Sequence, residues 1–196
     1  MYFQEGGEPV VGKPAKEEAE TSPDRVVQFI KREIGKEGLL QENLYGKTFD
    51  AIEISSIILK AIVKYAKAQG HDVKEVVITC PAYFGPNERE ATKQAGELVG
   101  LEVLNLVNEP TAAAYNYLAR EFNESKKILV YDLGGGTFDV SFIDYKVEGD
   151  KTIVDVVSSE GNDKLDGADW DEILFNYVKE LFVKDTSNDY DNKKFD

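Results

Sequence analysis

A turn of consecutive glycines between two apolar segments restricts the fold of this chain more than any other sequence feature. The segments are residues 128–131 and 138–146. Glycine reaches backbone angles closed to other residues, so the main-chain N–H groups of such a turn can converge on an anion. The pattern predicts two strands joined by a phosphate-binding turn, whose glycines are Gly134, Gly135 and Gly136.

Two carboxylates flank this turn. Asp132 ends the first segment and Asp139 begins the second, so both can order a magnesium ion and its waters at the rim of the turn. Thr137 adds a hydroxyl within reach of a terminal phosphate. The three glycines alone would favour a plain hairpin with exposed aspartates, but the two aspartates and the threonine together favour the phosphate site.

The remaining pattern predicts an α/β fold. Strands and helices alternate up to residue 121, and three strands then follow one another without a helix, so we expect a mixed sheet with flanking helices. The expected strands are 2–4, 8–11, 76–79, 102–107, 128–131, 138–146 and 152–158. The expected helices are 22–35, 51–69, 86–99, 111–121 and a last one that carries Trp170 to Leu181.

Glu109 lies where a strand is followed by a helix, in the run NEPTAAA. At the carboxyl edge of a sheet its carboxylate could orient a water or complete the surroundings of a metal ion. From this segment alone, however, a carboxylate that complements the helix dipole is the favoured interpretation.

Composition excludes several classes of function. The chain has 196 residues, enough for one large domain or two small ones, and a net charge of −14, which disfavours nucleic-acid binding. It has no apolar run of roughly 20 residues and no signal-peptide pattern, so we expect no membrane partner. A single cysteine, Cys80, suggests a reducing compartment and a cytoplasmic location.

Three other candidate features are set aside. Residues 7–13 have the spacing of a Walker loop, but Pro14 replaces the magnesium-binding Ser or Thr. His71 lies in a polar turn and Cys80 ends a buried strand, so a solvated histidine and a core thiol are the favoured interpretations.

Several segments together resemble the ATPase domain of the heat-shock-70 (DnaK-type) chaperones, in the order and at the spacing of that family. Residues 10–19, 29–35 and 161–171 extend the resemblance more weakly. The segments that carry it are VITCPAYF (77–84), REATKQAG (89–96), GLEVL (100–104), NEPTAAA (108–114) and DLGGGTFDV (132–140).

The resemblance implies an actin-like ATPase (ribonuclease H-like) fold that binds ATP or ADP with Mg²⁺ in a cleft. By position it implies a catalytic set of Lys31, Glu109, Asp132, Thr137 and Asp139. It implies nucleotide contacts from Gly134, Gly135, Gly136, Thr137 and Gly167, with Asp132 and Asp139 holding the metal mainly through water. Pro81 and Arg89 match residues that relay nucleotide state to a substrate-binding domain.

The resemblance also implies an organisation in three parts. These are a first-lobe part with helices and strands (1–72), an α/β first-lobe part (73–127) and the start of a second lobe that ends in an acidic tail (128–196). We expect the fold to be incomplete, because the family's first strand and loop, its adenosine-binding segment and its peptide-binding domain are not recognised. Asp166 and Ala168 replace a glycine and a glutamate of the family pattern.

The implied function is part of a chaperone ATPase whose nucleotide cycle controls the binding of unfolded polypeptides, helped by a co-chaperone and a nucleotide-exchange factor. We expect weak or no ATPase activity from the isolated chain. Two alternatives stay open at this point. One is another actin-like protein, such as a sugar kinase or a filament-forming relative of actin. The other is a nucleotide-free module that self-associates through exposed apolar surface.

Overall fold

A parallel two-stranded sheet, an antiparallel three-stranded sheet and a small antiparallel hairpin, with helices against them, make up the described fold. The computed structural model describes residues 1–38, 41–44, 47–121, 124–134, 137–149, 151–162, 165 and 167–186. The elements are α1 (Lys13–Glu17), β1 (Gln41–Leu44), β2 (Lys47–Phe49), α2 (Ala51–Ala68), β3 (Glu75–Cys80), α3 (Pro86–Glu97), β4 (Glu102–Asn108), α4 (Glu109–Glu121), β5 (Lys126–Leu133), β6 (Phe138–Glu148), β7 (Lys151–Asn162) and α5 (Gly167–Thr186).

Helix α2 has defined signals at both ends. The Asp50 carboxylate accepts a 2.7 Å hydrogen bond from the Glu53 N–H, and the Asp50 N–H donates to the Glu53 carboxylate at 2.9 Å. This reciprocal capping box satisfies two N–H groups that a helix start leaves free. Gly70 follows the helix with φ 90°, a conformation that favours glycine. The predicted helix 51–69 is therefore confirmed.

Strands β3 and β4 pair in parallel, with Val76 opposite Val103 and Cys80 opposite Asn108. Helix α3 connects them and packs closely on the pair. A Cβ added at Gly96 of this helix would lie 2.7 Å from Val103, so the absence of a side chain permits the close approach. The parallel pairing brings the carboxyl ends of β3 and β4 to one edge, where α4 begins.

Strands β5, β6 and β7 form an antiparallel meander. Helix α4 leaves the parallel pair and packs against the meander, where Ala114 and Leu118 contact the buried Ile143 and Tyr145. The two sheets are thus linked by one helix. The combination of parallel and antiparallel pairing expected from the sequence is present, divided between separate sheets, and the α/β architecture is confirmed.

The predicted helix 22–35 is wrong. The segment contains two short 3-10 turns, Pro23–Arg25 and Ile30–Arg32, and Val26, which follows the first turn, is extended. Val26 pairs with Tyr2 in an antiparallel bridge, and the Val27 N–H donates to the Met1 carbonyl. Phe29 has φ 56°, which is outside the right-handed helical region. These pairings of β-branched residues outweigh the local apolar period that suggested a helix.

The N-terminal strands expected at 2–4 and 8–11 are reduced to a single bridge between Tyr2 and Val10. The hairpin of β1 and β2 was not predicted. The other predicted helices and strands are present with ends within a few residues of expectation. Residues 187–196 of the acidic tail lie outside the described part of the chain. None of the helices that the structure describes is long and apolar enough to cross a membrane.

Candidate functional site

The predicted hairpin is formed by β5 and β6, and its two aspartates face each other. Asp132 lies directly opposite Asp139, one step from the pair that Leu133 makes with Phe138. Side chains directly opposite on paired strands point to the same face of the sheet, so both carboxylates lie on the face that α4 covers. The juxtaposition expected from the sequence is confirmed.

The turn itself differs from the expectation at one glycine. The Gly134 N–H donates a 3.0 Å hydrogen bond to the Thr137 carbonyl, because the strand pairing extends one step past Leu133 and Phe138. This amide is therefore already used by the chain and is not free for a phosphate. Gly135 and Gly136 lie outside the described residues. Gly134 is exposed to solvent, whereas Thr137 is buried.

Lys31 and Glu109 meet although they lie far apart in the sequence. The Lys31 ammonium lies 2.9 Å from Oε1 and 3.0 Å from Oε2 of Glu109. Lys31 is in the second 3-10 turn, and Glu109 is the first residue of α4, directly after β4. Because β4 ends at this point, the fold places the Glu109 carboxylate at the carboxyl edge of the parallel pair, as predicted.

Asp139 is a buried carboxylate influenced by other negative charges. Its side chain is 1% exposed, and its Oδ1 has no hydrogen-bond partner. Burial raises the pKa of the Asp139 carboxyl to about 6, and the negative charges of Glu109 and Asp132 add to the shift. The Lys31 ammonium and a hydrogen bond from the Ala82 N–H lower this pKa but do not cancel the effect.

Three carboxylates and one ammonium thus influence one another at this position, an arrangement that favours a further positive charge. Within the described residues, no cluster of three or more Cys, His, Asp and Glu side chains is arranged to bind a metal ion directly. Binding through the ion's own waters requires no such direct cluster, and magnesium commonly keeps several of its waters. The buried orphan oxygen of Asp139 is suited to accept from such a water.

Arg89 organises the loop that follows β3. Its Nε donates to the Phe84 carbonyl at 2.9 Å, and its Nη2 donates to Asn108 Oδ1 at 2.6 Å. Asn108 directly precedes Glu109, so the guanidinium connects the loop to the strand end that carries the catalytic-site candidate. Pro81 is fully buried at the start of the same loop. The structure thus brings both relay candidates next to the site.

Tyr83 is a residue that sequence reasoning missed. It lies over Gly161 of β7, where an added Cβ would be 2.6 Å from the tyrosine ring and 3.1 Å from Asp139 Oδ1. The ring therefore packs against the strand beside Asp139 and joins the β3 loop to the meander. Tyr83 lies inside the VITCPAYF segment, but nothing in that segment indicates what its ring contacts.

A cavity of about 440 Å³ between α2 and β3 reaches the Lys31 and Glu109 pair. Its described lining is mainly apolar and includes no residue of the β5–β6 hairpin, so this cavity is separate from the predicted phosphate site. Cys80 contributes to its wall, and burial raises the pKa of the Cys80 thiol, in agreement with a core thiol. His71 is exposed in the turn after α2, as expected.

The remaining predicted nucleotide contact, Gly167, lies at the first position of α5. Its N–H donates a 3.1 Å hydrogen bond to the Gly134 carbonyl. The predicted nucleotide-binding glycines are therefore in direct contact where the structure describes them, and the start of α5 is adjacent to the hairpin.

Comparison with known proteins identifies clear relatives. The family model described as Hsp70 protein matches residues 36–195. Proteins named chaperone protein DnaK from Thermotoga neapolitana, Thermotoga petrophila and Thermotoga maritima are each 43% identical to this chain over 185 residues. These matches cover 94% of this chain and 30% of each relative, so the chain spans less than a third of the length of those proteins.

Proposed function

The chain belongs to the Hsp70 family, and we propose that it supplies part of the ATP-binding and ATP-hydrolysing site of a chaperone of this family. The observation that carries the proposal is the meeting of Lys31 and Glu109 beside the Asp132 and Asp139 pair. These four side chains come from three separate parts of the sequence, since Asp132 and Asp139 belong to the same hairpin. Family membership does not favour the alternatives of a sugar kinase or a filament-forming relative of actin.

Lys31 and Glu109 would act on the attacking water. The ammonium donates up to three hydrogen bonds and neutralises charge that develops during phosphoryl transfer, while the carboxylate accepts from the water and orients it. Because the two groups lie 2.9 Å apart, one water molecule can contact both. Hydrolysis would then consist of in-line attack of this water on the terminal phosphorus and breakage of the bond between that phosphorus and the ADP oxygen, which gives ADP, inorganic phosphate and a proton released to solvent.

Asp132 and Asp139 would hold a magnesium ion through its waters. The site fits a hydrated cation, because Asp139 Oδ1 is buried without a partner and neighbouring carboxylates raise its pKa. The ion, when bound with the nucleotide, supplies positive charge next to the phosphates. Thr137 would place its hydroxyl at the terminal phosphate.

The phosphate contacts would come from the turn and from the start of α5. Gly135, Gly136 and Thr137 would donate main-chain N–H groups, with Gly167 close by. The Gly134 N–H would not contact a phosphate, since it is bound to the Thr137 carbonyl. Gly134 would contribute only by its place at the start of the turn.

Pro81 and Arg89 would relay the state of the nucleotide. The support is the path of contacts from Arg89 to Asn108 and from there along the chain to Glu109. A second path leads through the same loop to Tyr83 and Gly161 beside Asp139. A change in position or charge at the Glu109 or Asp139 carboxylate would therefore alter the conformation of the loop that contains Pro81.

The wider setting follows from the family resemblance and is likewise proposed. It comprises unfolded polypeptide clients, a co-chaperone, a nucleotide-exchange factor and a cytoplasmic location.

The division into parts 1–72, 73–127 and 128–196 is also a proposal. In the structure the first two parts share one core, in which Ile34 and Ala51 pack with Phe84 and Ala91. Self-association of the isolated chain is proposed from the exposed apolar side chains of α5.

Calorimetric titration of Mg-ATP tests the proposed site. We expect binding to the wild-type chain and at least about tenfold weaker binding to Asp132→Ala, because one of the two magnesium-water acceptors is lost. Asp155→Ala is the matched control, since it removes an exposed carboxylate that pairs with Lys146 on the same sheet. Equal heats for wild type and Asp132→Ala would remove the assignment of the phosphate site. Binding to neither would mean that this chain alone does not form a complete nucleotide clamp.

A further inference from the structure

Arg32 joins the Lys31 turn to the first turn of α5. Its Nη2 lies 2.8 Å from Asp169 Oδ2, across 137 residues of sequence. The two side chains are 21% and 25% exposed, so the ion pair is partly buried and less screened by water than a surface pair. A short, partly buried pair between distant segments constrains how those segments sit against each other.

The guanidinium has a second contact that limits its freedom. It lies over the ring of Phe29, with 5.4 Å between the guanidinium carbon and the ring centre. A planar guanidinium stacked on an aromatic face is preorganised to present its N–H groups in one direction. The Arg32 guanidinium is therefore oriented toward Asp169, and another cation on the surface would not replace it in this geometry.

The first turn of α5 is also bound to the hairpin. The Gly167 N–H donates to the Gly134 carbonyl at 3.1 Å, two residues before Asp169. Farther along the helix, Ile173, Leu174 and Tyr177 are more than half exposed, so burial of these side chains holds α5 in place only weakly. The contacts of the first turn consequently matter for where the helix begins.

The negative charge of Asp169 is a second reason why its pairing with Arg32 matters for the phosphate site. Asp132, Asp139 and Glu109 already concentrate negative charge at this site, and Asp169 adds a carboxylate two residues after Gly167, whose N–H is bound to the Gly134 carbonyl. Without a cation, that carboxylate would repel an anionic phosphate at the turn. Arg32 compensates it.

We propose that Arg32 is a positioning residue of the phosphate site. By pairing with Asp169 it holds the first turn of α5, and through the Gly167 bond the Gly134 end of the hairpin, next to Lys31 and Glu109. Its link to phosphate binding rests on the proposed function. The contact by which Arg32 holds the first turn of α5 does not depend on the proposed function, and its strength can be measured in the nucleotide-free chain.

Hydrogen exchange of the Gly167 amide in the full chain, followed by NMR, measures this hold. We expect exchange about tenfold faster in Arg32→Ala and in Asp169→Asn, because either change breaks a partly buried ion pair. Arg32→Lys keeps the charge and should restore part of the protection. The double variant Arg32→Ala with Asp169→Asn should exchange no faster than either single variant, since both remove the same interaction. Lys36→Ala is the matched control, because it removes an exposed cation from the same segment.

Unchanged Gly167 exchange in Arg32→Ala, or an equal increase in Lys36→Ala, would overturn the proposal. If exchange responds as expected, Mg-ATP titration decides the link to the phosphate site. About tenfold weaker binding to Arg32→Ala than to wild type supports the link, and equal affinities overturn it. Failure of the wild-type chain to bind would mean that this chain alone does not form a complete nucleotide clamp, and the role of Arg32 in holding α5 would then be decided by hydrogen exchange alone.

Discussion

The ammonium of Lys31 is shared almost equally by both carboxylate oxygens of Glu109, at 2.9 and 3.0 Å. This pair connects a 3-10 turn near the N-terminus to the start of α4. The pair also adjoins Asp139, whose pKa Lys31 lowers and Glu109 raises. A change in either partner is therefore expected to alter the electrostatics of the hairpin as well as the pair itself.

Replacement of Lys31 by alanine should slow hydrolysis much more than it weakens nucleotide binding. The ammonium acts mainly on charge that develops during phosphoryl transfer, so its loss is expected to reduce single-turnover hydrolysis by about 100-fold or more. Mg-ATP affinity should change by only a few fold. Because we expect at most weak ATPase activity from this chain, hydrolysis is measured in single turnover with the chain in excess over labelled ATP, and Lys36→Ala serves as the control.

The same variant has a consequence that needs no nucleotide. Lys31 favours the ionised form of Asp139, so Lys31→Ala should raise the pKa of the Asp139 carboxyl above its value in the wild-type chain. Carbon-13 NMR of the side-chain carboxyl across a pH series reports this directly. A lower pKa in the variant would contradict the arrangement of charges described for the site.

Asp139 should make the free energy of unfolding depend on pH. An aspartate ionises near pH 3.8 when unperturbed and at about 6 in this fold, so the folded chain binds the proton more tightly. The associated stability is therefore full below pH 3.8 and is lost as the pH rises through about 6. The loss amounts to about 3 kcal/mol by the usual conversion of a pKa difference.

Asp139→Asn should remove this loss, since a neutral amide has no proton to release. Urea unfolding at several pH values between 4 and 7 is expected to show a flatter profile and a higher stability at pH 7 for the variant, together with weaker Mg-ATP binding. Asp155→Asn, on the exposed part of β7, should leave the profile of the wild type in place. An identical profile for Asp139→Asn and wild type would show that Asp139 is not the titrating group.

Gly161→Ala should destabilise the contact between the β3 loop and the meander. The new Cβ would lie 2.6 Å from the Tyr83 ring and 2.9 Å from the Phe138 carbonyl oxygen. Relief requires movement of backbone as well as of the ring, so we expect a loss of about 1 to 3 kcal/mol in the free energy of unfolding. Thermal unfolding measures it.

The Tyr83→Ala background provides the control for this effect. It removes the ring but keeps the Phe138 carbonyl, so part of the cost of Gly161→Ala should disappear and part should remain. Equal costs in both backgrounds would mean that Tyr83 does not pack on Gly161.

The exposed apolar side chains of α5 should cause association that depends on concentration. Ile173 and Leu174 are each 61% exposed, and Trp170, the single tryptophan of the chain, is 57% exposed. Sedimentation at two concentrations should show larger species at the higher one, with a blue shift of the Trp170 emission. Added salt should strengthen association, because it screens the net charge of −14.

Leu174→Lys is expected to reduce this association, and Glu172→Gln, at an exposed polar position of the same helix, is expected not to. A monomer at both concentrations for the wild-type chain would contradict self-association through α5.

Local sequence signals predicted the elements that have strong local causes. Helix α2 has a capping box and a terminal glycine, and the β5–β6 hairpin has alternating strands around a glycine turn. The segment 22–35 shows the opposite case. Its apolar spacing favours a helix, but pairing of Val26 with Tyr2 decides its conformation, and a contact of that kind has no signature within the segment itself.

The same division applies to the site. Residue types and their spacing were enough to indicate the chemistry: a glycine turn with two aspartates, a glutamate at a strand end and the family in which these residues occur together. Which groups meet became visible in the folded chain, where Lys31 pairs with Glu109, Arg32 pairs with Asp169, and Tyr83 packs on Gly161. Residue type and spacing limit what a side chain can do and which local structure it favours. Its distance to a group 78 or 137 residues away depends on how the two sheets pack around α4.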